Sequence, residues 1–276
     1  MLPIYWNLLS NINALLILCG RIVFAFAFMF VVLLVKGRFQ MFIETLKNRD
    51  TMRYLVPAAL LISFNWGLYI WAVNSGRILD ASLGYYINPL IVFLLGVLLF
   101  REKFTKLQLI AVALAFAGVL LALVAFGSFP IVSLSLALTF SVYGVLKKKA
   151  RCDPIISIAV ESLILTPFAL AFSFVFMSDH VASVSALNFI LLVGGGALTA
   201  LPLIMYARAV NNITFLIVGF FQYISPSLSL IYGLISGETP SASQLVSFAF
   251  IGLGLFLFSI AVLRVSKKTR TLPDVR

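Results

Sequence analysis

Two stretches of the sequence share one pattern: "YYINPLIVFLLGVLLFRE" at residues 85–102 and "YISPSLSLIYGLISGE" at residues 223–238. Each contains Tyr-Ile, a polar residue and Pro, then an apolar run with Gly seven residues after the Pro, and each ends at Glu. The pattern therefore occurs twice, 137 residues apart, which indicates an internal repeat.

The composition requires lipid as the solvent for much of the chain. Of its 276 residues 62% are hydrophobic and 11% are charged, whereas about a quarter of the residues of a soluble domain are charged. The net charge of +11 comes from basic residues between the apolar runs and not from a basic face, which is typical of membrane proteins and not of nucleic-acid binders. Two cysteines make no disulfide framework.

Nine apolar runs are long enough to cross a bilayer, which takes about 20 residues. They cover residues 13–35, 54–74, 80–100, 105–125, 128–147, 155–177, 187–210, 214–236 and 243–263. Residues 1–10 resemble the second half of another span, as in a truncated chain or a misassigned start. Barrel strands would be about half as long and would alternate in polarity. We therefore predict an all-α integral membrane protein with ten helices, the first of them partial.

The basic residues predict how the chain is oriented. Eighteen of the 20 Lys and Arg residues fall in one set of alternate connections, a set that includes Lys147, Lys148 and Lys149. Arg77 alone lies in the opposite set, and Arg21 lies inside a span. Because cytoplasmic connections carry the basic residues, we expect a cytoplasmic C-terminus. The mixed apolar and basic connection 36–53 is expected to lie along the membrane surface as an amphipathic turn or helix.

The repeat extends well beyond the proline stretches. Tyr69 aligns with Tyr206 at an offset of 137, and Gly118 aligns with Gly254 at an offset of 136. Each half would be a five-helix unit, and since five is odd the second copy must be inverted in the membrane. Such a 5+5 inverted repeat places a substrate site near the midplane. The predicted domains are 1–126, 127–264 and a basic cytoplasmic tail at 265–276.

Prolines inside the spans predict bends. A proline removes one helical hydrogen bond and clashes with the preceding turn. We expect Pro89, Pro202 and Pro226 to kink their helices, with the kinks at Pro89 and Pro226 shaping the cavity wall. Glu102, near the end of its helix, is expected to stay solvated at the membrane interface.

Two charged residues inside spans are the first candidates for the site. Arg21 and Glu161 occupy roughly equivalent places in the two halves, and charges within a span usually face a cavity or a partner. We expect both to face the pore, as an ion pair across the two-fold axis, with Glu161 as a proton-coupling group. The alternative is a static pair that fixes helix packing.

Polar and aromatic residues inside the spans complete the predicted cavity. Interfacial aromatic belts and interhelical hydrogen bonds are their alternative roles. Gly194, Gly195, Gly196, Gly252 and Gly254 are expected to allow close helix packing. The remaining cavity candidates are Asn65, Trp66, Tyr69, Tyr86, Asn88, Tyr143, Thr199, Tyr206, Gln222, Tyr223 and Ser225.

Catalytic chemistry is not indicated. The one histidine, His180, lies in a short connection, and no Ser-His-Asp set, metal cluster or phosphate-binding loop can be assembled. We predict no enzyme activity, no metal and no cofactor.

Several segments resemble the drug/metabolite transporter superfamily, of the EamA type, and more narrowly its RarD-like branch. They are "PIYWNLLS" (3–10), "LGYYINPLIVFLLGVLLFREKFTKLQLIAVALAFAGVLL" (83–121), "LTFSVYGVLKKK" (138–149), "ALTALPLIMYARAVNNI" (197–213), "FFQYISP" (220–226) and "YGLISGETPSASQ" (232–244). The resemblance covers nearly the whole chain. It implies two EamA repeats in a multi-pass permease of the bacterial inner membrane, a type often labelled chloramphenicol-sensitive.

The expected function is secondary transport, by alternating access and coupled to protons, of a small metabolite, an amino-acid-like compound or a drug. A lipid or lipid-linked-sugar flippase and a non-transporting membrane subunit are the alternatives. The expected partners are a small solute, the lipid bilayer and a second copy of the chain, without nucleic acid.

Overall fold

The computed structural model describes residues 5, 8–9, 11–126, 130–182, 184–224, 227–228 and 242–270. These residues include eleven helices and no strand. The helices are α1 Ala14–Val35, α2 Phe39–Lys47, α3 Arg49–Asn74, α4 Ile78–Phe100, α5 Lys106–Phe126, α6 Ile131–Ala150, α7 Pro154–Phe176, α8 Ser178–Ala182, α9 Ala186–Asn212, α10 Phe215–Phe221 and α11 Ala242–Arg270.

Eight helices of the described part are long and apolar enough to cross a membrane, namely α1, α3, α4, α5, α6, α7, α9 and α11. The predicted class, an all-α membrane protein, is confirmed. The ten-helix inverted repeat stays a prediction. Most of the partial first helix, and residues 225–226 and 229–236 of the predicted run 214–236, lie outside the described residues.

Local capping explains where several helices begin and end. Asn13 accepts a hydrogen bond from the amide of Leu15 at the start of α1, and Gly37, at φ +62°, ends that helix in the left-handed region. Asn48 accepts from the amide of Thr51, so α3 begins at Arg49, earlier than the predicted residue 54.

Two segments that were predicted outside the spans, the connection 36–53 and the C-terminal tail, contain helix. Residues 39–47 form α2, with Phe42 buried and Phe39 and Met41 exposed, which confirms an amphipathic helix there. Its position along a membrane surface stays a prediction. α11 continues to Arg270, so residues 265–270 of the predicted tail are helical.

His180, expected in a loop, lies in α8.

The chain forms two compact units. Unit 1 comprises Met1–Ser75 and Val142–Ile213, and unit 2 comprises Gly76–Ser141 and Thr214–Arg276. Each unit takes helices from both halves of the sequence, and the boundary between the units runs through α6. The predicted repeat limits at residues 126 and 264 stay a prediction.

In unit 1, α1 packs against α7 and α9. Met29, Leu33 and Leu55 are completely buried in its apolar core. A Cβ atom at Gly196 would lie 2.3 Å from the carbonyl carbon of Phe24, so only glycine permits this approach of α9 to α1. The packing role predicted for the glycine run therefore holds at Gly196.

In unit 2, α5 packs against α11 through two reciprocal glycine contacts. A Cβ atom at Gly118 would lie 2.7 Å from the carbonyl oxygen of Ser247, and one at Gly254 would lie 2.7 Å from that of Ala111. The later position in α5, Gly118, meets the earlier position in α11, Ser247, whereas the earlier position in α5, Ala111, meets the later one in α11, Gly254. These helices are therefore antiparallel. Gly118 aligns with Gly254, and Ala111 with Ser247, at the same offset of 136. Reciprocal contacts of this kind arise when a two-fold axis relates two equivalent helices.

The packing role predicted for Gly252 is wrong. Apart from the backbone of α11 itself and the adjacent residues, no atom of the described part of the chain lies within 4 Å of the position that a Cβ would take there. Because a helix turns through 100° per residue, Gly252 and Gly254 lie on different faces of α11, and only Gly254 faces α5.

Candidate functional site

Unit 1 contains an ion pair buried in the membrane-spanning part of the protein. The Nζ atom of Lys147 lies 2.6 Å from Oε1 of Glu161, and each residue is 3% exposed. The Tyr143 hydroxyl donates to Oε2 of Glu161 at 3.1 Å. The Lys147 ammonium also donates to Oγ of Ser157 at 2.5 Å. We call these four residues the ion-pair cluster.

Helical spacing brings the ion-pair cluster together. Tyr143 and Lys147 are four residues apart on α6, and Ser157 and Glu161 are four residues apart on α7, so each couple lies on one face of its helix. The connection between α6 and α7 is three residues long, 151–153, which places the end of α6 beside the start of α7. The Tyr206 ring on α9 stacks on that of Tyr143, with centroids 6.0 Å apart.

Hydrogen bonds make this burial of charge tolerable. Moving two ions out of water costs several kcal/mol each, and their attraction offsets this only when further hydrogen bonds satisfy the remaining atoms. Here Tyr143 bonds the second carboxylate oxygen, and Ser157 accepts a second ammonium proton. The cluster therefore provides partners for both carboxylate oxygens and for two of the three ammonium protons.

Lys147 is the functional candidate that the sequence missed. The run of three lysines predicted a solvated connection, whereas the structure places all three in the last turn of α6 and buries Lys147 alone among them. One available signal was the spacing, because a lysine on the same helical face as Tyr143, within reach of an acid early in the next helix, is placed to form a buried pair.

The predicted ion pair between Arg21 and Glu161 is wrong. Among the described residues Glu161 binds Lys147 and Tyr143, because α6 and not α1 presents its cation to that part of α7. Nε of Arg21 donates to Oγ1 of Thr199 at 3.0 Å, and its guanidinium carbon lies 5.2 Å from the centroid of the Trp66 ring. Three predicted residues thus form a second polar group in unit 1.

Two further predicted residues of unit 1 lie on α3. Asn65 is half-buried, and Tyr69 is exposed. Their role in a cavity stays a prediction.

Unit 2 contains a chain of buried amide and hydroxyl groups. The Ser141 hydroxyl donates to Oδ1 of Asn88 at 2.7 Å, and Nδ2 of Asn88 donates to Oε1 of Gln222. Ser141 is completely buried and Asn88 nearly so. The structure therefore brings two of the predicted cavity residues, Asn88 and Gln222, into contact, and it adds Ser141, which no sequence pattern distinguished from other serines in apolar runs.

The two aromatic candidates of unit 2, Tyr86 and Tyr223, have different surroundings. Tyr223 is completely buried in the apolar core around α5, α10 and α11. The Tyr86 ring contacts Phe248, with centroids 5.4 Å apart. Ser225 lies outside the described residues.

In the described part of the chain, four prolines lie inside helices: Pro57 in α3, Pro89 in α4, Pro167 in α7 and Pro202 in α9. Pro89 and Pro202 thus lie within helices as expected, and the bends predicted for them stay predictions. Pro226 lies outside the described residues.

Glu102 is bound and not simply solvated, which corrects the expectation from the sequence. Its carboxylate accepts hydrogen bonds from the amides of Phe215 at 2.7 Å and Leu216 at 2.9 Å. It therefore caps the N-terminus of α10, where a helix has free amide donors.

Among the described residues, no group of three or more His, Cys, Asp and Glu side chains is placed to hold a metal ion.

The eight long apolar helices indicate a multi-pass membrane protein, and comparisons with known proteins identify it as a membrane transporter. Residues 3–124 match the EamA-like transporter family. The uncharacterized transporter YojE of Bacillus subtilis is 38% identical, with 98% of this chain and 92% of YojE covered. Protein RarD of Escherichia coli is 34% identical, with 97% of this chain and 92% of RarD covered. The chain belongs to the EamA-like transporter family and is a RarD-like permease.

The fold also occurs in a crystal structure. That protein is 17% identical, the match has a TM-score of 0.72, and it covers 96% of this chain and 93% of the other. At this identity the likeness concerns the fold alone.

Proposed function

We propose that the chain is a secondary-active transporter of the bacterial inner membrane that moves a small organic solute by alternating access. Membership of the EamA-like family supports transport. The sequence contains no glycine-rich loop of the kind that binds ATP phosphates, which favours a proton or solute gradient as the source of energy.

The buried pair of Lys147 and Glu161 is the observation that carries this proposal. Apolar residues of similar volume often stabilise a protein as well as a buried ion pair does, and ionisable residues within spans commonly mark proton or substrate pathways. We therefore assign it to coupling.

Proton coupling would act through Glu161. Protonation of its carboxylate removes the negative charge that faces Lys147, and the ammonium then has only neutral acceptors in the cluster, the Ser157 hydroxyl and the carboxyl oxygen of Glu161. The protonated and ionised forms would thus favour different arrangements of α6 and α7, and a ligand or proton shifts such an equilibrium by its differential affinity for the two states.

The test uses purified protein reconstituted in liposomes that contain a pH-sensitive dye. A panel of amino acids, sugars and drugs, with chloramphenicol among them, is added one compound at a time under an imposed pH gradient. We expect at least one compound to cause a proton flux that wild-type protein supports and Glu161→Gln does not.

Ser162→Ala is the matched control, because Ser162 is buried one residue along the same helix and its hydroxyl bonds only the carbonyl of Ile158 in the described part of the chain. This variant should support the same proton flux as wild type. The proposal of coupling fails if solute movement and proton flux are the same in Glu161→Gln and in wild type. Transport itself is contradicted if no compound of the panel moves.

A further inference from the structure

The hydrogen-bond chain of unit 2 has a direction. Ser141 donates to Oδ1 of Asn88, and Nδ2 of Asn88 donates to Oε1 of Gln222. Each amide therefore uses its oxygen to accept from one neighbour, and Asn88 uses its nitrogen to donate to the next. The far end of the chain is the Nε2 group of Gln222.

That terminal group has no acceptor in the described part of the protein. The Nε2 atom of Gln222 is enclosed, and no hydrogen-bond partner reaches it. An amide nitrogen carries two N–H donors and cannot accept. Since native proteins satisfy nearly all of their buried polar groups, a buried donor without a partner calls for an explanation such as a ligand or an ordered water.

The next residue, Tyr223, also has a buried polar group without a partner among the described residues. Tyr223 is completely buried, and the polar group is its hydroxyl. It lies beside apolar residues, with the Phe220 ring 5.7 Å from its own. Unit 2 therefore holds enclosed donors on two consecutive residues of the segment that follows α10.

We propose that Gln222 and Tyr223 form a recognition site for a hydrogen-bond acceptor, a carboxylate or carbonyl oxygen of the transported solute. The inference rests on the proposed transport function, and it adds the chemical class of one group of the solute. Asn88 and Ser141 act as positioning residues, because they hold the Gln222 amide with its nitrogen available.

The orientation of the amide decides which solutes fit. A solute group that only donates, such as an ammonium, would meet another donor at Gln222 and would gain no hydrogen bond there. A carboxylate or carbonyl oxygen would accept from Nε2, and a charged acceptor forms the stronger bond.

Nuclear magnetic resonance of the full chain in lipid nanodiscs, labelled with ¹⁵N-glutamine, tests this site without any transport assay. The sequence contains four glutamines, and the side-chain signal of Gln222 is the one lost in Gln222→Glu. The probes are acetate and N,N-dimethylacetamide, which accept hydrogen bonds without donating them under the conditions used, and methylammonium, which donates only. The exposed amide of Gln40, bonded to Glu44, is the internal reference.

We expect acetate or dimethylacetamide to shift the Gln222 side-chain signal in a saturable way that leaves Gln40 unchanged. Tyr223→Phe should weaken the binding of acetate about tenfold or more, the effect of one lost hydrogen bond to a charged group. The proposal is overturned if neither acceptor shifts the signal or if methylammonium shifts it. Wild-type Glu161 is present throughout, so a negative result here does not bear on proton coupling, and loss of coupling does not bear on this site.

Discussion

Lys147 and Glu161 form an ion pair whose charged atoms are 2.6 Å apart and whose side chains are nearly inaccessible. The pair joins the last turn of α6 to the second turn of α7, two helices that a three-residue connection already holds side by side. In the function proposed above, the charges of this pair serve proton coupling.

Removing one partner of this pair should destabilise the protein strongly. Lys147→Met leaves the Glu161 carboxylate buried without its cation, and we expect a loss of about 3–5 kcal/mol. The double variant Lys147→Met with Glu161→Met should be close to wild type, because no charge is left buried. Titration of the purified proteins with sodium dodecyl sulfate measures the free energy of unfolding of the single and the double variant. Lys149→Met, at an exposed position of the same turn, should leave stability unchanged, and equal losses in the single and double variants would contradict the prediction.

The contact between α5 and α11 should depend on Gly254 and not on Gly252. Gly254→Ala places a methyl group 2.7 Å from the carbonyl oxygen of Ala111, so α11 must move away, at a cost of about 1–3 kcal/mol. Gly252→Ala meets no atom of another described element within 4 Å, and alanine favours a helix over glycine by about 1 kcal/mol. Thermal unfolding of the two variants in one detergent compares them. The prediction is wrong if both variants unfold at the same temperature.

Glu102 should stabilise the start of α10. Glu102→Ala removes the acceptor of the Phe215 and Leu216 amides, and loss of a helix cap costs about 0.5–2 kcal/mol. Amide hydrogen exchange followed by mass spectrometry should show faster exchange at residues 215–221 in this variant. Glu44→Ala, at an exposed position, is the control and should leave that segment unchanged. Unaltered exchange in Glu102→Ala would mean that the cap is not formed.

The thiol of Cys152 should react slowly at neutral pH. Cys152 lies in the connection between α6 and α7, where burial raises its pKa to about 11. Only the thiolate is nucleophilic, so at pH 8 the folded protein should react with iodoacetamide about a hundredfold more slowly than a cysteine of ordinary pKa, about 8.5. The rate should keep rising as the pH increases toward 11.

The measurement uses a Cys19→Ser background, so that Cys152 is the remaining thiol. The same protein unfolded in detergent and urea is the reference for the ordinary pKa. A folded-state rate that levels off near pH 9 would show that the thiol is not shifted.

Helix positions were predictable because lipid imposes a length and a polarity on each span. The runs at 13–35 and 155–177 correspond closely to α1 and α7, since capping by Asn13 and Asp153 coincides with the change in polarity. The start of α3 was missed, because the cap at Asn48 extends this helix into a polar segment that hydropathy excludes.

Partnerships of the polar residues were less predictable. Asn88 and Gln222 were each expected to lie near a proline, Pro89 and Pro226, and those prolines are at equivalent places in the two halves. In the structure Asn88 and Gln222 are hydrogen-bonded partners. Glu161 was expected to pair with Arg21, because both are charged residues inside spans, yet a lysine assigned to a connection is its partner. Sequence position shows that a charge needs compensation, but it does not show which helix supplies it.

By itself the sequence determined that lipid surrounds this protein, where most of its long helices run, and that its two halves share one pattern, because these properties follow from local polarity, length and spacing. Only the tertiary structure decided that Glu161 is bonded to Lys147, that Glu102 caps α10, and that Gly254 and not Gly252 faces α5. Those outcomes depend on which faces of distant helices meet, and a helix that is apolar on every side carries little information about which neighbour it will contact.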